Sequence, residues 1–404
     1  MVDRDLVLSI AQHHSSFYLY QEAILQRQAL ALTKELPDVS LLYSLKANPH
    51  PRILDTLFAL GFGADAASCQ EVQISQRKGL SKEHILYSAP GKTMEDLAQT
   101  LESSTLVADS ILEVQRIEQL AKNRGIVVPI GIRINPDFGF DVDTGVPSKF
   151  GIDQDQVFAH MPLFQQMKHI QIVGIHVHLR SQELQAHALQ TYHNRVFQLA
   201  GQVQQALGKE LAFVNLGSGL GIPYEQDDPP LDVQPVAQSL CQQVQAFHSH
   251  SPRTQFFLET GRFVVGESGL YCTTVVDKKI SHGKTFVILD KTLQGFIRPS
   301  LAQLVRKYDQ GPSPAPCEPL FTTANPCQIL ALTNETQRET VTLVGNLCTA
   351  ADVIAQDISL PKLSCGDVLV LTNAGSYGAV LSPMQFSSHT PPAQLYLTNQ
   401  GDIL

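Results

Sequence analysis

VVPIGIRIN (127–135) is followed by IQIVGIHVHL (170–179), FVNLGSG (213–219) and FFLETG (256–261), and preceded by LLYSLKA (41–47), GADAAS (63–68), HILYSA (84–89) and TLVADS (105–110). These runs are apolar almost throughout rather than alternating, as a parallel strand covered on both faces requires. Between them lie stretches of helical period. Segment 51–61 places Ile53, Leu54, Leu57 and Phe58 on one face, and 112–124 does the same with Leu112, Val114, Ile117 and Leu120 before Gly125. Strands of this kind alternating with crossover helices predict an α/β protein built on a closed (β/α)8 TIM barrel, in preference to an open doubly wound sheet.

Beyond residue 270 the texture changes to short β-branched runs, TTVVDKKI, KTFVIL, ETVTLVG and DVLVLTN, separated by turn residues and without long helical patterns. The expected organisation is a barrel over 27–270 and a β-sandwich or β-barrel domain over 271–404 completed by residues 1–26. DQGPSPAPCEP (309–319) reads as a loop in that domain, and EQDDPP (225–230) as an exposed loop off the barrel.

The 404 residues carry a formal charge of −9, which argues against a broad nucleic-acid surface. No run of apolar residues reaches membrane-spanning length, and the N-terminal MVDRDLVLSIAQHH has no secretory pattern, so a cytoplasmic location is expected. Seven cysteines, an odd number without a C-x-x-C pair, fit neither a disulfide framework nor a zinc ribbon.

In a barrel the chemistry lies at the strand C-termini, and here those positions are polar. Lys46 ends the first strand, Arg133 and Asn135 the fifth, His176 and His178 the sixth, GSGLG (217–221) the seventh and ETGR (259–262) the eighth. A lysine at a desolvating barrel mouth suits Schiff-base chemistry, although an isolated strand-end lysine more often reaches out to water. The glycine run matches neither a P-loop nor a dinucleotide fingerprint, yet its amides could cradle a phosphate, with Arg262 as a nearby cation. Glu259 ends an apolar strand and needs a partner, either Arg262 three residues on or a cationic ligand atom. His176 and His178 share a strand face, a metal-ligand pattern as well, but strands seven and eight add no histidine to complete such a site.

The ordered blocks YSLKAN, IRINP, HVH, GSGLG and ETGR, followed by GNLCTAADV (345–353) and AGSYGAVLSPMQF (374–386), resemble the fold-type III pyridoxal-phosphate decarboxylases, the diaminopimelate, ornithine and arginine decarboxylase family. The resemblance covers about residues 17 to 397. It implies an alanine-racemase-like barrel with a β-domain and pyridoxal 5′-phosphate as cofactor. It also implies a homodimer with shared active sites that acts on a small amino-acid substrate. Matched position by position, Lys46 would hold the cofactor, His178 would stack on its ring, and Glu259 would pair with the ring nitrogen. Arg133 would lie near the ring, and Ser181, Gly219, Gly261 and Arg262 would bind the phosphate. Cys348, a proton donor, and Tyr377, a phosphate ligand, match residues that such enzymes contribute from the partner subunit.

The chain also departs from that pattern. Where decarboxylases of basic amino acids place an acid after the cysteine to read a distal ammonium, this chain has Thr349, which cannot pair with a cation. The usual glycine after the barrel histidine is replaced, giving HLRS with Arg180, and Arg298 in FIRPS matches a substrate-carboxylate motif. Thr349, Arg180 and Arg298 are therefore the expected substrate contacts. With LVGNLCTAADVIAQ they make the resemblance strongest to siderophore-biosynthesis decarboxylases, such as the staphyloferrin B enzyme that acts on a citryl-diaminopropionate. A diaminopimelate decarboxylase of lysine biosynthesis and a non-catalytic regulatory homologue are the alternatives.

Overall fold

The computed structural model describes residues 3–140, 142–217, 219–224, 228–308 and 327–404. The proline-rich loop expected at 309–319, with Cys317, lies outside the described residues, as do Ser218 and residues 225–227. The chain divides into two compact units, one of residues 29–221 and 231–261, the other of residues 1–28, 222–230 and 262–404.

In the first unit each of the eight apolar runs supplies one strand. In order these are Ser40–Ser44, Gly63–Ala66, Ile85–Tyr87, Thr105–Ala108, Val128–Asn135, Ile170–His176, Phe213–Asn215 and Gln255–Thr260. All neighbours pair in parallel, and the eighth pairs back onto the first, so the barrel is closed. Its lumen is filled by Leu42, Leu86, Val107, Phe213 and Phe257. Gly131 and Gly174 leave the space that the Phe213 ring occupies, because a Cβ on Gly174 would stand 2.5 Å from that ring.

The expected crossover helices form as Pro51–Ala59 and Ile111–Arg124, the latter ended by Gly125 at φ 66°. The stripe on the second helix differs from the sequence reading. Leu112 is 54% exposed, and Glu113, Val114, Ile117 and Ala121 are the buried residues. The helix is rotated because Glu113 is drawn inward by the amine of Lys92, 2.5 Å from its carboxylate.

The second unit holds an eight-stranded sheet. Strand Ser16–Gln21 lies between Gly269–Ser281, antiparallel to it, and Ala393–Leu397, parallel to it. Helix Arg4–Ala11 covers this part with Val7 and Ile10 against Phe17, Leu19, Leu270, Cys272, Val368 and Val370. Contrary to the expectation of a segment without long helices, Ile297–Tyr308 is a helix of 12 residues. Pro299 sits in its first turn, where a missing N–H costs nothing.

Candidate active site

Lys46 lies in a single 3-10 turn, Leu45–Ala47, just past the first barrel strand, with its side chain 44% exposed. Its amine is 3.2 Å from Asp65 Oδ2 at the end of the second strand. Asp65 is fully buried and also accepts from Ser44 Oγ at 2.8 Å and Ser88 Oγ at 3.0 Å. Three donors from the ends of the first and third strands thus hold one carboxylate at a fixed point beside the amine. A Cβ on Gly261 would meet that of Ala47 at 2.9 Å, so the turn after the eighth strand runs against the lysine turn.

Glu259 is buried on the eighth strand and finds its partners on the seventh and sixth strands. Asn215 Nδ2 donates to its Oε1 at 2.8 Å, and His176 Nε2 stands 3.2 Å from the same oxygen. Burial alone would raise its pKa, but His176, Lys46 and His178 outweigh that and hold the carboxylate well below its usual range. Gly217, at φ 65°, donates its N–H to Asn215 Oδ1 at 2.9 Å, and its carbonyl accepts from Glu259 N at 2.8 Å. Any side chain there would strike Val177 O at 2.3 Å, which is why the loop begins with glycine.

His178, two residues past the sixth strand, is pulled down to a pKa of about 3 by burial, against the opposing pull of Glu259 and helped by Arg133 and Lys46. Its ring is therefore neutral across the physiological range. Ser181 Oγ lies 3.5 Å from its Nε2, and Gly219 O accepts from Glu183 N at 2.7 Å. Arg133 donates to His178 O at 3.3 Å, sits 3.8 Å from Asp109 and stacks 4.4 Å from the Phe150 ring centre. Arg180 is paired with Glu183 at 2.9 Å and lies over Phe140 at 4.9 Å, so its charge is already met within the barrel.

In the second unit Arg262 and Arg298 are both buried, and both donate to the phenol oxygen of Tyr224, Arg298 at 2.8 Å. The Tyr377 ring lies 4.8 Å from the Arg262 guanidinium of its own chain, with its backbone at φ 54°. Cys348 is exposed, with its sulfur 3.8 Å from Ser387 Oγ. Thr349 Oγ1 accepts from Ala351 N at 3.2 Å. The acid that follows in the same stretch, Asp352, is buried and taken up by Thr292, by Leu293 N at 3.0 Å and by Leu347 N at 3.1 Å.

Three of these residues were not singled out from the sequence. Asp65 sits inside an apolar strand, and its signal was there to read: an acid in a run otherwise fit for burial. Asn215 looked like an ordinary strand end. Tyr224 lies just before the loop read at 225–230 and outside every motif that was singled out. Among the described residues no group of three or more His, Cys, Asp or Glu gathers as a metal site, and no helix is long and apolar enough to cross a membrane.

Residues 22–266 match the family model described as pyridoxal-dependent decarboxylase, pyridoxal binding domain. The L-glutamyl-[BtrI acyl-carrier protein] decarboxylase of Niallia circulans is 29% identical over 394 residues, spanning 95% of this chain and 89% of that one. The diaminopimelate decarboxylase of Archaeoglobus fulgidus is 30% identical over 382 residues, 90% of this chain and 84% of that one. Among solved structures, the diaminopimelate decarboxylase of Helicobacter pylori complexed with L-lysine superposes with a TM-score of 0.82 at 26% identity, covering 98% of this chain and 94% of that one.

Proposed function

The chain belongs to the pyridoxal-dependent decarboxylase family and is a pyridoxal-phosphate-dependent carboxy-lyase of an amino-acid substrate; from that membership we propose that its substrate carries no free ammonium at its distal end, as in a citryl-diamino acid of carboxylate siderophore biosynthesis. The observation that carries this reading is the stretch from Cys348 to Asp352. Its second position is the neutral Thr349, and its one carboxylate is consumed inside the fold by Thr292, Leu293 and Leu347. A distal cation would meet no charge there, and burying it unpaired would cost several kcal/mol, about 3–5 for a lost partner.

The residues present fit the cofactor. A half-exposed amine, a buried ionised carboxylate, a neutral imidazole and a buried guanidinium with unpartnered Nε and Nη2 match its aldehyde, ring nitrogen, flat face and phosphate. Lys46 would hold it, Glu259 would keep its ring nitrogen protonated, and His178 and Arg133 would lie at the ring. Ser181, Gly219, Gly261, Arg262 and Tyr377 would receive the phosphate. When bound, pyridoxal phosphate supplies an electron sink for the pair left by departing CO2.

The chain's own part is to position and to move protons. Asp65 would hold the amine of Lys46 in place, and the neutral His178 would offer an uncharged face to the ring. Cys348 is accessible to hand a proton to that carbon in the site of a partner subunit, so we propose a homodimer. Arg298 would take a substrate carboxylate. Arg180, already paired with Glu183, would contribute to that site less than Arg298.

The relatives favour a second reading, decarboxylation of diaminopimelate, and a third substrate type is named for the Niallia circulans relative, a glutamyl group on a carrier protein, which also lacks a distal ammonium. CO2 release measured side by side on citryl-diaminopropionate, a glutamyl thioester and meso-diaminopimelate separates them. Turnover of either substrate without a distal ammonium well above diaminopimelate is expected, together with a gain for diaminopimelate in Thr349→Glu. Preference for diaminopimelate by the unaltered protein would overturn the reading.

A further inference from the structure

Arg262 and Arg298 are two guanidinium ions, each all but inaccessible, and among the described residues no carboxylate is hydrogen-bonded to either. Burying one such charge is costly, and burying two side by side adds their repulsion. What they share is one oxygen. Arg298 donates to the Tyr224 hydroxyl at 2.8 Å with its guanidinium 4.4 Å from the ring centre, and Arg262 donates to the same hydroxyl from 5.4 Å over that ring. Three further nitrogens, Arg262 Nε and Nη2 and Arg298 Nη2, are buried and have no hydrogen-bond partner among the described residues. A fork fixed at one prong with its other prongs open is a receptor for oxyanions.

We infer that Tyr224 is the positioning residue of this pair: its oxygen fixes both guanidinium groups for anionic oxygens of cofactor and substrate, and by ionising it competes with the anion it helps to seat. This rests on the reading of Arg262 as the phosphate arginine and extends it to a residue outside the matched motifs.

Among the described residues the charged and titratable groups around the phenol are few. Arg262 and Arg298 face its oxygen, the Tyr377 ring lies on Arg262, and Asp228 Oδ2 accepts the Tyr224 backbone N–H at 3.1 Å. Cys327, near Arg298, is pushed up to about 12 by burial and stays neutral. Burial alone would raise the phenol, but Arg262 and Arg298 outweigh it and bring it down to about 8. Below that value the phenol is neutral and both positive charges are available. Above it a phenolate cancels one of them, so an incoming dianion must first restore the proton.

The test uses apoprotein and glycerol 3-phosphate, a monoester that remains a dianion throughout because its second pKa is about 6. Calorimetric titration of the wild type should weaken on the order of ten-fold between pH 7 and pH 9, since the phenolate then dominates by that ratio. In Tyr224→Phe the change should stay under about two-fold, and the variant should bind more weakly than wild type at pH 7 but at least as well at pH 9. A second measurement needs no variant: at pH 8.5, titration in buffers of different ionisation enthalpy should show close to one proton taken up per anion bound. No proton uptake by wild type, or an unchanged pH dependence in Tyr224→Phe, overturns the inference. Arg262→Ala tests the underlying reading separately. If it leaves anion affinity intact, the phosphate arginine lies elsewhere, and if it abolishes affinity while Tyr224→Phe behaves as wild type, only the role of Tyr224 fails.

Discussion

Lys92→Met should be among the most damaging single substitutions in the barrel, although the residue lies in a loop after the third strand. The wild-type amine has no exposed side-chain surface and is spent on three acceptors: Ala89 O at 2.7 Å, Val107 O at 2.8 Å and Glu113 at 2.5 Å. Methionine fills the same volume but leaves a carboxylate buried without its cation, a loss of about 3–5 kcal/mol. Two carbonyls also lose a donor, at roughly 1 kcal/mol or more each. The total, about 5 kcal/mol or more, should lower the urea midpoint on the order of 1 M or more.

Burial already raises the Glu113 pKa and lowers that of Lys92 despite their mutual attraction. In the variant Glu113 rises further, and a raised acid contributes stability that is present at low pH and lost as pH climbs through its folded value. The penalty should therefore be larger at pH 8 than at pH 5.5, growing by up to about 1.4 kcal/mol per pH unit. Adding Glu113→Gln removes the charge while keeping a carbonyl, and should recover about half of the loss. A urea midpoint within about 0.3 M of wild type at pH 8, or a double variant no better than Lys92→Met, would refute the reasoning.

Asp65→Asn removes the anion 3.2 Å from the Lys46 amine while keeping a side chain of the same shape. In this half-exposed setting the pair is worth about 1 kcal/mol. The pH at which the visible band of lysine-bound cofactor titrates should therefore fall by roughly one unit, measured spectrophotometrically; an unmoved midpoint would show that Asp65 does not act on the amine. His193, buried on helix Ala186–Leu207 with both ring nitrogens unpartnered, is lowered by burial to about 4. Because the unfolded chain takes up a proton near 6.5 and the folded chain does not, stability should fall from pH 6.5 towards pH 4, and His193→Leu should flatten that slope in urea unfolding by up to about 1.4 kcal/mol per pH unit.

The barrel was legible because its strands are short, apolar and covered on both faces, so hydrophobicity alone marks them. The helix Ile297–Tyr308 was not. Its FIRPS opening was read for its arginine, and its apolar positions, Leu301, Leu304 and Val305, are too few to stand out after a run of β-branched strands. Lys46, Glu259 and His178 could be picked out because a charged or titratable residue at the end of an apolar strand is conspicuous in any sequence. The groups that tune them could not, since their roles depend on distance in space. Asp65 is 19 residues from the lysine it pairs with, Asn215 is 44 from Glu259, and Tyr224 is 38 and 74 from its two arginines.

Strand Ser16–Gln21, with the sequence SFYLYQ, is held between two strands that are made much later, Gly269–Ser281 and Ala393–Leu397. On a ribosome the whole barrel sequence emerges while this early segment still has both edges bare. Its Tyr18 hydroxyl waits for Gly295 O, to which it donates at 2.5 Å in the finished fold. An apolar, aromatic strand with two open edges is a template for pairing with another chain. Synthesis of this protein therefore carries a window, closed only once Ala393–Leu397 has emerged, in which strand Ser16–Gln21 needs shelter from its own copies, and yield should depend on chaperone supply and on translation rate more than the stability of the finished barrel would suggest.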